Sequence, residues 1–401
     1  MNLPIKKPNI ILPKNGIDLN KWSVIACDQF TSEPKYWDKL SRYIGGAFST
    51  LYLIYPEAYL SSTNQEEFIE RINNTMLEYR QKDIFYSIDD YILTIRTTKN
   101  GTVRKGLMAL VDLDEYDPFG KLSIRATEKT VRERLPIRVK IRENASIELP
   151  HIMVLIDDPD KEVIEEAYND ISERDLLYSF ELNSNGGSVK GYRVASSEKI
   201  ERAIKSVADK HNNNDDLASF FLAVGDGNHS LASAKACWEN KKAGLTEEEK
   251  ETDPERYALV EIVNLYDQGV RFEPINRIIK NADESFLLGL DAKKGSAIDV
   301  MCRGKRSQIH LEGTAPEIIA TVQTYIDDYL QTHGECSQDY VHNDENTMAL
   351  SNEGVAIFMP KIEKESFFKY IDEKGVLTRK AFSMGEAEEK RYYLEARIIK
   401  E

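Results

Sequence analysis

Residues 220–239, FFLAVGDGNHSLASAKACWE, place two glycines, an acid, an amide and a histidine between an apolar run and an alanine-rich stretch. A strand, a Gly-x-Gly loop and a helix in this order direct backbone N–H groups at an anion, because glycine permits close approach and a helix N-terminus carries partial positive charge. We expect His229 to face the same pocket, where it can bind a phosphate oxygen or transfer a proton. The alternative is a tight turn with His229 bonded to a nearby carbonyl. The phosphate-binding residues expected in this loop are Gly225, Asp226, Gly227, Asn228 and Ser230, with Asp226 or Asn228 also capping the helix.

A basic segment, IRATEKTVRERLPIR (residues 124–138), stands out in a chain that is acidic overall. Arginine offers a planar fork for phosphate or carboxylate, and lysine and threonine add donors. The alternative is a solvated helix face with i,i+4 ion pairs such as Glu128–Arg132. The candidate anion-binding side chains are Arg125, Lys129, Arg132, Arg134 and Arg138, with the hydroxyls of Thr127 and Thr130.

Two carboxylates follow the short apolar run WSVIAC, within ACDQFTSE (residues 26–33). The end of a buried strand is a common position for a general base or a metal ligand, and Asp28 and Glu33 are the candidates. The alternative, which these residues alone favour, is that Asp28 or Thr31 caps the next helix. No protein metal site is predicted, because none of the six histidines forms an H-x-x-x-H pair and none of the four cysteines a C-x-x-C pair.

Composition restricts the partners. The chain has 401 residues and a net charge of −15, which disfavours nucleic acid and anionic membrane as ligands. The four cysteines form no disulfide framework, and no apolar stretch reaches the length of a membrane span. The expected setting is a reducing cytoplasm, and the expected ligand is a small molecule.

The positioning elements mix without strict alternation. Asn100-Gly101 and Asn185-Gly186-Gly187 predict hairpins, and amphipathic patterns predict helices near 62–82 and 316–333. Residues 382–399 favour a capped C-terminal helix packed by tyrosines. The expected fold class is α+β, with mixed sheets and flanking helices. The expected regions are 1–115, a core at 116–280 that holds the loop, and 281–401.

The chain resembles the DUF1015 family, bacterial and archaeal proteins of unknown function, over nearly its whole length. The matching stretches are GDGNHSLASA, RATEKTVRER, YALVEIVNLYDQGVRFEPINRII and FSMGEAEEKRYYLEARII. The family pattern has a second histidine and an arginine after Asp-Gly, where this chain has Asn228-His229-Ser230, which indicates a divergent branch.

The loop and helix are also similar to the core motif of the ParB/sulfiredoxin superfamily, which includes free-serine kinases. This resemblance implies a core of that fold beside a further α+β domain. It also implies nucleotide phosphates at the loop, with ADP or ATP and Mg²⁺ as cofactors and a phosphorylated small molecule or amino acid as partner.

Three functions follow from these expectations. The first is kinase-like phosphoryl transfer: His229 contacts the transferring group, Arg125, Lys129 and Arg132 neutralise charge, and Asp28 or Glu33 accepts a proton or helps hold Mg²⁺. The second is a phosphatase for a small ester such as phosphoserine, with water as the nucleophile. The third is a protein that binds a ligand without turnover. A ParB-like DNA-binding role is disfavoured by the net charge.

Overall fold

The computed structural model describes residues 3–118, 121–129, 135–212 and 219–400. The chain divides into two compact units. The first consists of Met1–Ala126, Thr130–Val270 and Ala387–Glu401, and the second of Thr127–Lys129 and Arg271–Glu386. The three regions expected from the sequence, 1–115, 116–280 and 281–401, stay a prediction.

Strands and helices are interspersed along the chain, as the α+β expectation requires, and this fold class is confirmed. The strands are β1 (Ile5–Lys6), β2 (Ile10–Pro13), β3 (Val24–Ile25), β4 (Phe85–Ile88), β5 (Tyr91–Thr97), β6 (Val103–Asp112), β7 (Tyr116–Asp117), β8 (Ile124–Ala126), β9 (Ile147–Glu148), β10 (Met153–Ile156), β11 (Leu176–Glu181), β12 (Ser188–Val194), β13 (Leu222–Asp226), β14 (Tyr257–Asn264), β15 (Phe272–Lys280), β16 (Ser296–Cys302), β17 (Lys305–Leu311), β18 (Ser337–His342), β19 (Gly354–Ile357), β20 (Phe382–Met384), β21 (Tyr392–Tyr393) and β22 (Arg397–Ile398).

The α-helices are α1 (Leu19–Trp22), α2 (Pro34–Ile44), α3 (Gln65–Gln81), α4 (Leu135–Glu143), α5 (Ile164–Asp170), α6 (Ser197–Lys210), α7 (Asn228–Lys242), α8 (Glu247–Thr252), α9 (Glu284–Leu290), α10 (Ala315–Thr332), α11 (Asp344–Leu350) and α12 (Lys364–Lys374). Within the described ranges, none of them is both long and apolar enough to cross a bilayer.

A ten-stranded mixed sheet organises the first unit. Its order is β11-β12-β5-β6-β14-β10-β13-β8-β7, with β1 also paired to β6. The β10–β14, β13–β8 and β7–β8 pairs are parallel, and the remaining pairs are antiparallel. Apolar residues fill both faces of the central strands, which are buried throughout, as in Met153–Ile156. The strand β13, which leads into the candidate loop, lies between β10 and β8 in this sheet.

The second unit has its own six-stranded sheet, with the order β17-β16-β19-β15-β18 and β20 paired to β15. Helix α10 buries one apolar face that includes Ile318, Ile319, Val322 and Ile326. Its N-terminus carries a capping box, in which Thr314 and Glu317 satisfy each other's backbone N–H groups. The sequence prediction of an amphipathic helix near 316–333 is confirmed.

Both hairpins predicted from turn residues are present. β5 pairs antiparallel with β6 across Gly101, whose φ is +78°, and β11 pairs with β12 across Asn185 and Gly187, with φ of +63° and +78°. The predicted helix near 62–82 is α3, whose N-cap is Asn64. Local turn and periodicity signals suffice here because these elements are formed by neighbouring residues.

The predicted C-terminal helix is wrong. The 382–399 stretch instead forms β20, a 3-10 turn at Ala387–Glu389, and the two-residue strands β21 and β22. Strand β21 pairs with β3, and β22 pairs with β9. Pairing with strands far away in sequence overrides the local helical pattern.

A buried ion network holds this last segment against the large sheet. Arg391, which is 6% exposed, places Nη1 2.6 Å from Glu261 Oε2 and Nη2 2.5 Å from Glu395 Oε2. Its Nε donates to the carbonyl of Pro150 at 3.1 Å, and Tyr178 donates to Glu395. Burial alone would lower the pKa of Arg391, but the two glutamates raise it, so the guanidinium stays charged.

Substituting Arg391→Met should lower the free energy of unfolding by about 3–5 kcal/mol, because two buried carboxylates lose their counter-charge. Urea denaturation measures this loss. The matched control is Arg306→Met, which removes an arginine that is two-thirds exposed and paired with Asp299 at 2.5 Å, and it should cost less than about 1 kcal/mol. Equal losses in the two variants would show that the network does not hold the segment.

Candidate functional site

The loop at 225–230 is built on a backbone conformation that requires glycine. Strand β13 ends at Asp226, and Gly227 is the N-cap of α7 with φ +83° and ψ +25°. A Cβ at Gly227 would lie 3.0 Å from Ile152 Cγ1 and 3.1 Å from Ile152 Cα. The left-handed conformation and the close approach both disfavour a side chain at this position. The expected order of strand, glycine loop and helix is confirmed.

Asp226 connects the loop to the last segment of the chain. Its Oδ1 accepts from the N–H of Gly227 at 3.0 Å, and its Oδ2 lies 3.1 Å from Nζ of Lys390. Asn228 donates its side-chain amide to the carbonyl of Val224 at 3.4 Å. Helix α7 has no side-chain cap, so the prediction that Asp226 or Asn228 caps it is wrong. Lys390 brings a largely buried cation to the loop.

His151 is the histidine that the structure places against this loop. Its Nε2 lies 3.0 Å from Ser230 Oγ, and its Nδ1 lies 3.0 Å from the hydroxyl of Tyr393. The same hydroxyl accepts from the N–H of Cys27 at 3.2 Å. His229, expected to face the pocket, is half-buried in the first turn of α7, and its carbonyl accepts from Ser233 Oγ at 2.7 Å.

Asp28 belongs to the same electrostatic cluster. Burial by itself raises the pKa of Asp28, but His151, a hydrogen bond from Gln29 at 2.9 Å and the charges of Lys390 and Arg138 together hold that pKa below its usual value. Asp28 is therefore ionised at neutral pH. It caps no helix: the N-cap of α2 is Glu33, without a side-chain hydrogen bond, so the capping prediction for Asp28 or Thr31 is wrong.

Burial lowers the pKa of His151, and the charges of Asp28 and Asp226 only partly oppose this effect. The imidazole is therefore neutral near pH 7. The site combines two carboxylates, one ammonium group and one neutral imidazole at a helix N-terminus. Such an arrangement can bind an anion at its cationic side and move a proton at its carboxylate side.

The other predicted residues are dispersed. Arg125 is buried on β8, with Ala223 of β13 opposite it, and its guanidinium lies 4.0 Å from the centre of the Phe220 ring. Glu33 is exposed. Thr127 and Lys129 belong to the second unit. Thr130, Arg132 and Arg134 lie outside the described residues.

Sequence reasoning missed His151, Lys390 and, as a contributor to this site, Tyr393. His151 stands in ELPHIMV without a partner at any motif spacing, so no local signal could have identified it. Lys390 and Tyr393 flank the buried Arg391, in a stretch whose local pattern favours a helix face. Glu261 gives a clearer sequence signal than these residues do, because a carboxylate in the middle of the apolar run YALVEIVN must have a buried partner. That partner is Arg391, the neighbour of Lys390.

The residues of this site could hold a metal ion only if a bound ligand supplied further oxygen atoms to the metal. In the described part of the chain, no group of three or more His, Cys, Asp or Glu side chains could hold a metal by itself. Asp28 and Asp226 are two carboxylates in one cluster. Mg²⁺ commonly uses one or two carboxylates plus substrate phosphates.

The comparison with family models identifies the family. A family model described as "Protein of unknown function (DUF1015)" matches residues 11–396. No curated protein matches the chain in sequence.

The similar solved structures are distant ones. A mutant of free serine kinase in complex with AMP matches at 12% identity and TM-score 0.38, over 72% of this chain and 87% of that one. A conserved hypothetical protein from Pyrococcus furiosus matches at 12% and TM-score 0.34, over 72% and 90%. C-terminally truncated SbnI from Staphylococcus aureus matches at 10% and TM-score 0.37, over 72% and 82%.

The lowered pKa of His151 makes folding sensitive to acid. Below its ordinary pKa of 6.5 the unfolded chain binds a proton that the buried imidazole resists, so the free energy of unfolding falls as pH decreases. His151→Asn should reduce the loss of stability between about pH 7.5 and about pH 5.5, measured by urea denaturation.

His211 provides a control, because its pKa shift has the opposite sign to that of His151. Its hydrogen bond with Asp157 raises its pKa, so its stabilisation is complete below pH 6.5 and is lost as pH rises through the folded-state pKa. His211→Asn should therefore make acidification more destabilising. If His151→Asn shows the same acid sensitivity as the wild type, His151 is not a buried neutral group.

Gly227→Ala should destabilise the protein by more than Gly101→Ala, in urea denaturation. Both glycines have nearly the same φ, +83° and +78°, but a Cβ at Gly101 meets nothing within 4 Å. The control therefore measures the left-handed strain alone, about 1–2 kcal/mol. The difference between the two variants measures the contact with Ile152, and a difference of zero would contradict the close approach.

Proposed function

The chain belongs to the DUF1015 family, and we propose that it is an enzyme of phosphoryl transfer that binds the phosphates of a nucleotide at the loop 225–230. The observation that carries the proposal is the convergence of Asp28, His151 and Lys390 on one helix N-terminus. These three residues come from three distant segments. Two of them belong to no local motif, so the convergence is a property of the fold.

The proposed phosphate-binding part of the site consists of the N-terminus of α7 and Lys390. Helix α7 has 15 residues, and its N-terminus carries the partial positive charge of the helix dipole. Lys390 Nζ uses one contact on Asp226 and has three donors, so it can also bind a phosphate oxygen. In a largely buried position this contact is stronger than in water.

The proposed proton acceptor of the site is Asp28. It is ionised at neutral pH and half-buried, and it can accept the proton of an attacking hydroxyl or, with Asp226, contribute to a Mg²⁺ site. Bound Mg²⁺ would neutralise charge on the phosphates. His229 remains our candidate for contact with the transferring group, and charge neutralisation by Arg125 and Arg132, aided by Thr130, remains a prediction. Phosphoryl transfer depends mainly on such positioning and electrostatics.

Lys390→Met should weaken ADP binding about tenfold or more, measured by calorimetry with and without Mg²⁺, because one charge-assisted hydrogen bond is lost. Asp28→Asn should leave ADP binding in place and lower turnover by about 100-fold or more, measured by ³¹P NMR with ATP and serine. The control is Lys242→Met, at the other end of α7, where the lysine pairs with Asp114 at 2.8 Å.

Three experimental results would contradict this proposal, and two of them would favour another function. Absence of binding of ADP, ATP and phosphoserine, with or without Mg²⁺, would remove the phosphate site. Release of phosphate from phosphoserine without nucleotide would indicate the phosphatase. Affinity changes in Asp28→Asn and Lys390→Met without any turnover in the wild type would indicate a ligand-binding protein.

A further inference from the structure

A cavity of about 140 Å³ lies in the first unit, beside the hydrogen bond between His151 and Ser230. Protein interiors contain few voids larger than a water molecule, and an unfilled one forfeits dispersion contacts of its wall. An engineered apolar cavity of about 150 Å³ binds benzene, so this volume accommodates a body of roughly that size. The wall is mostly apolar, and its buried apolar side chains include Ile54, Met76, Ile147, Ile152, Leu259 and Ile399.

The charged groups of this wall are paired within the protein. Arg138 pairs with Glu57. Glu148 is shared by two arginines, since Arg142 Nη2 lies 2.6 Å from its Oε1 and Arg397 Nη2 lies 2.9 Å from its Oε2. Burial by itself raises the pKa of Glu148, but the two arginines together hold that pKa below its usual value, so the carboxylate stays ionised. An ionised ligand in this cavity would therefore be buried without a counter-charge, which is unfavourable.

The hydrogen bonds around His151 have a direction. Burial raises the pKa of Tyr393 well above its usual value, so its hydroxyl keeps the hydrogen. The phenol oxygen accepts from the N–H of Cys27 at 3.2 Å. Burial and the charge of Asp28 raise the pKa of the Cys27 thiol to about 11, and a protonated sulfur is a weak acceptor. Tyr393 therefore donates its hydrogen to Nδ1 of His151, which lies 3.0 Å away.

This direction leaves one hydroxyl donor in the wall available to a ligand. A neutral imidazole that accepts at Nδ1 carries its hydrogen on Nε2, so His151 donates to Ser230 Oγ at 3.0 Å. Ser230 Oγ makes no other hydrogen bond to a described residue, and its own hydrogen can therefore reach a ligand. The neighbouring hydroxyl in the wall, that of Ser233, already donates to the carbonyl of His229 at 2.7 Å. The wall thus offers a donor without offering an unpaired charge.

We propose that this cavity binds a small neutral molecule, an apolar body about the size of a benzene ring that carries one carbonyl or ether oxygen, and that Ser230 donates its hydroxyl hydrogen to that oxygen. Ile152 lies in the wall and against Gly227, and Ser230 is in the first turn of α7, so the bound molecule touches residues that adjoin or belong to the loop 225–230. The inference goes beyond the proposed function, since this binding requires neither nucleotide nor turnover.

NMR titration of the full chain, labelled at its methionine methyl groups, tests the site with cyclohexanone, benzene and cyclohexanecarboxylate. The two neutral probes should bind and shift the methyl resonance of Met76 in the wall, assigned by Met76→Leu. The methyl group of Met348, which is 45% exposed in the second unit, is the control and should not shift. The carboxylate should bind about tenfold more weakly than cyclohexanone or worse, because its charge has no partner. An unshifted Met76 with both neutral probes, or equal affinity for the carboxylate, would overturn the proposal.

Ser230→Ala should weaken cyclohexanone binding about fivefold or more, because one hydrogen bond is lost, and should change benzene binding by less than about twofold. Benzene therefore controls for any change that the substitution makes in the shape of the cavity. The matched control variant is Ser233→Ala, which removes a hydroxyl of the same wall that is already bonded to His229, and it should change cyclohexanone affinity by less than about twofold. An equal effect of Ser230→Ala on both probes, or no effect on cyclohexanone, would exclude the serine as the donor.

Nitrogen-15 NMR of the ring of His151, assigned by comparison with His151→Asn, tests the direction of the hydrogen bonds without any ligand. Nδ1 should resonate as an unprotonated nitrogen and Nε2 as a protonated one. The reverse pattern would make Ser230 the donor to the histidine, leave no hydrogen for a ligand oxygen and overturn the inference. Because none of these readouts requires a nucleotide, their failure is distinguishable from a failure of the proposed phosphoryl transfer.

Discussion

The arrangement of the site depends on the buried contact between Arg391 and the two carboxylates of Glu261 and Glu395. All three side chains are at most 6% exposed, so none of them can be left without a counter-charge at low cost. Arg391 lies between Lys390 and the β21 pair Tyr392–Tyr393, which is hydrogen-bonded to β3. Because the guanidinium is held at a single position, the residues on either side of it reach the loop 225–230 and His151.

The local charges are compatible with the proposed anion site in a chain with a net charge of −15. The cation is a single lysine, largely buried and held by Asp226, and the helix dipole adds to its field. Asp28 and Asp226 would repel a phosphate, but they also provide the oxygen ligands that Mg²⁺ uses with phosphates. The surroundings of His151 keep it neutral, so it adds no charge that would attract a second anion.

Local signals predict the parts of the fold that neighbouring residues form. Asn100-Gly101 and the 185–187 turn specify their hairpins, and the glycine loop lies between β13 and α7 as its residues indicate. The sequence could not show the partners of that loop, because Cys27, His151 and Tyr393 are brought together only by long-range strand pairing. The 382–399 stretch shows the same limit: its apolar spacing favours a helix, but β3 and β9 offer backbone partners that a helix would leave unused.

A crystal structure of the protein with ADP and Mg²⁺ tests the central claim most directly. The account predicts a phosphate group at the N-terminus of α7, within hydrogen-bonding distance of Lys390 Nζ, with Asp28 on the side of the metal or of the acceptor. Phosphates bound at another place on the protein, with Lys390 still paired only to Asp226, would contradict it.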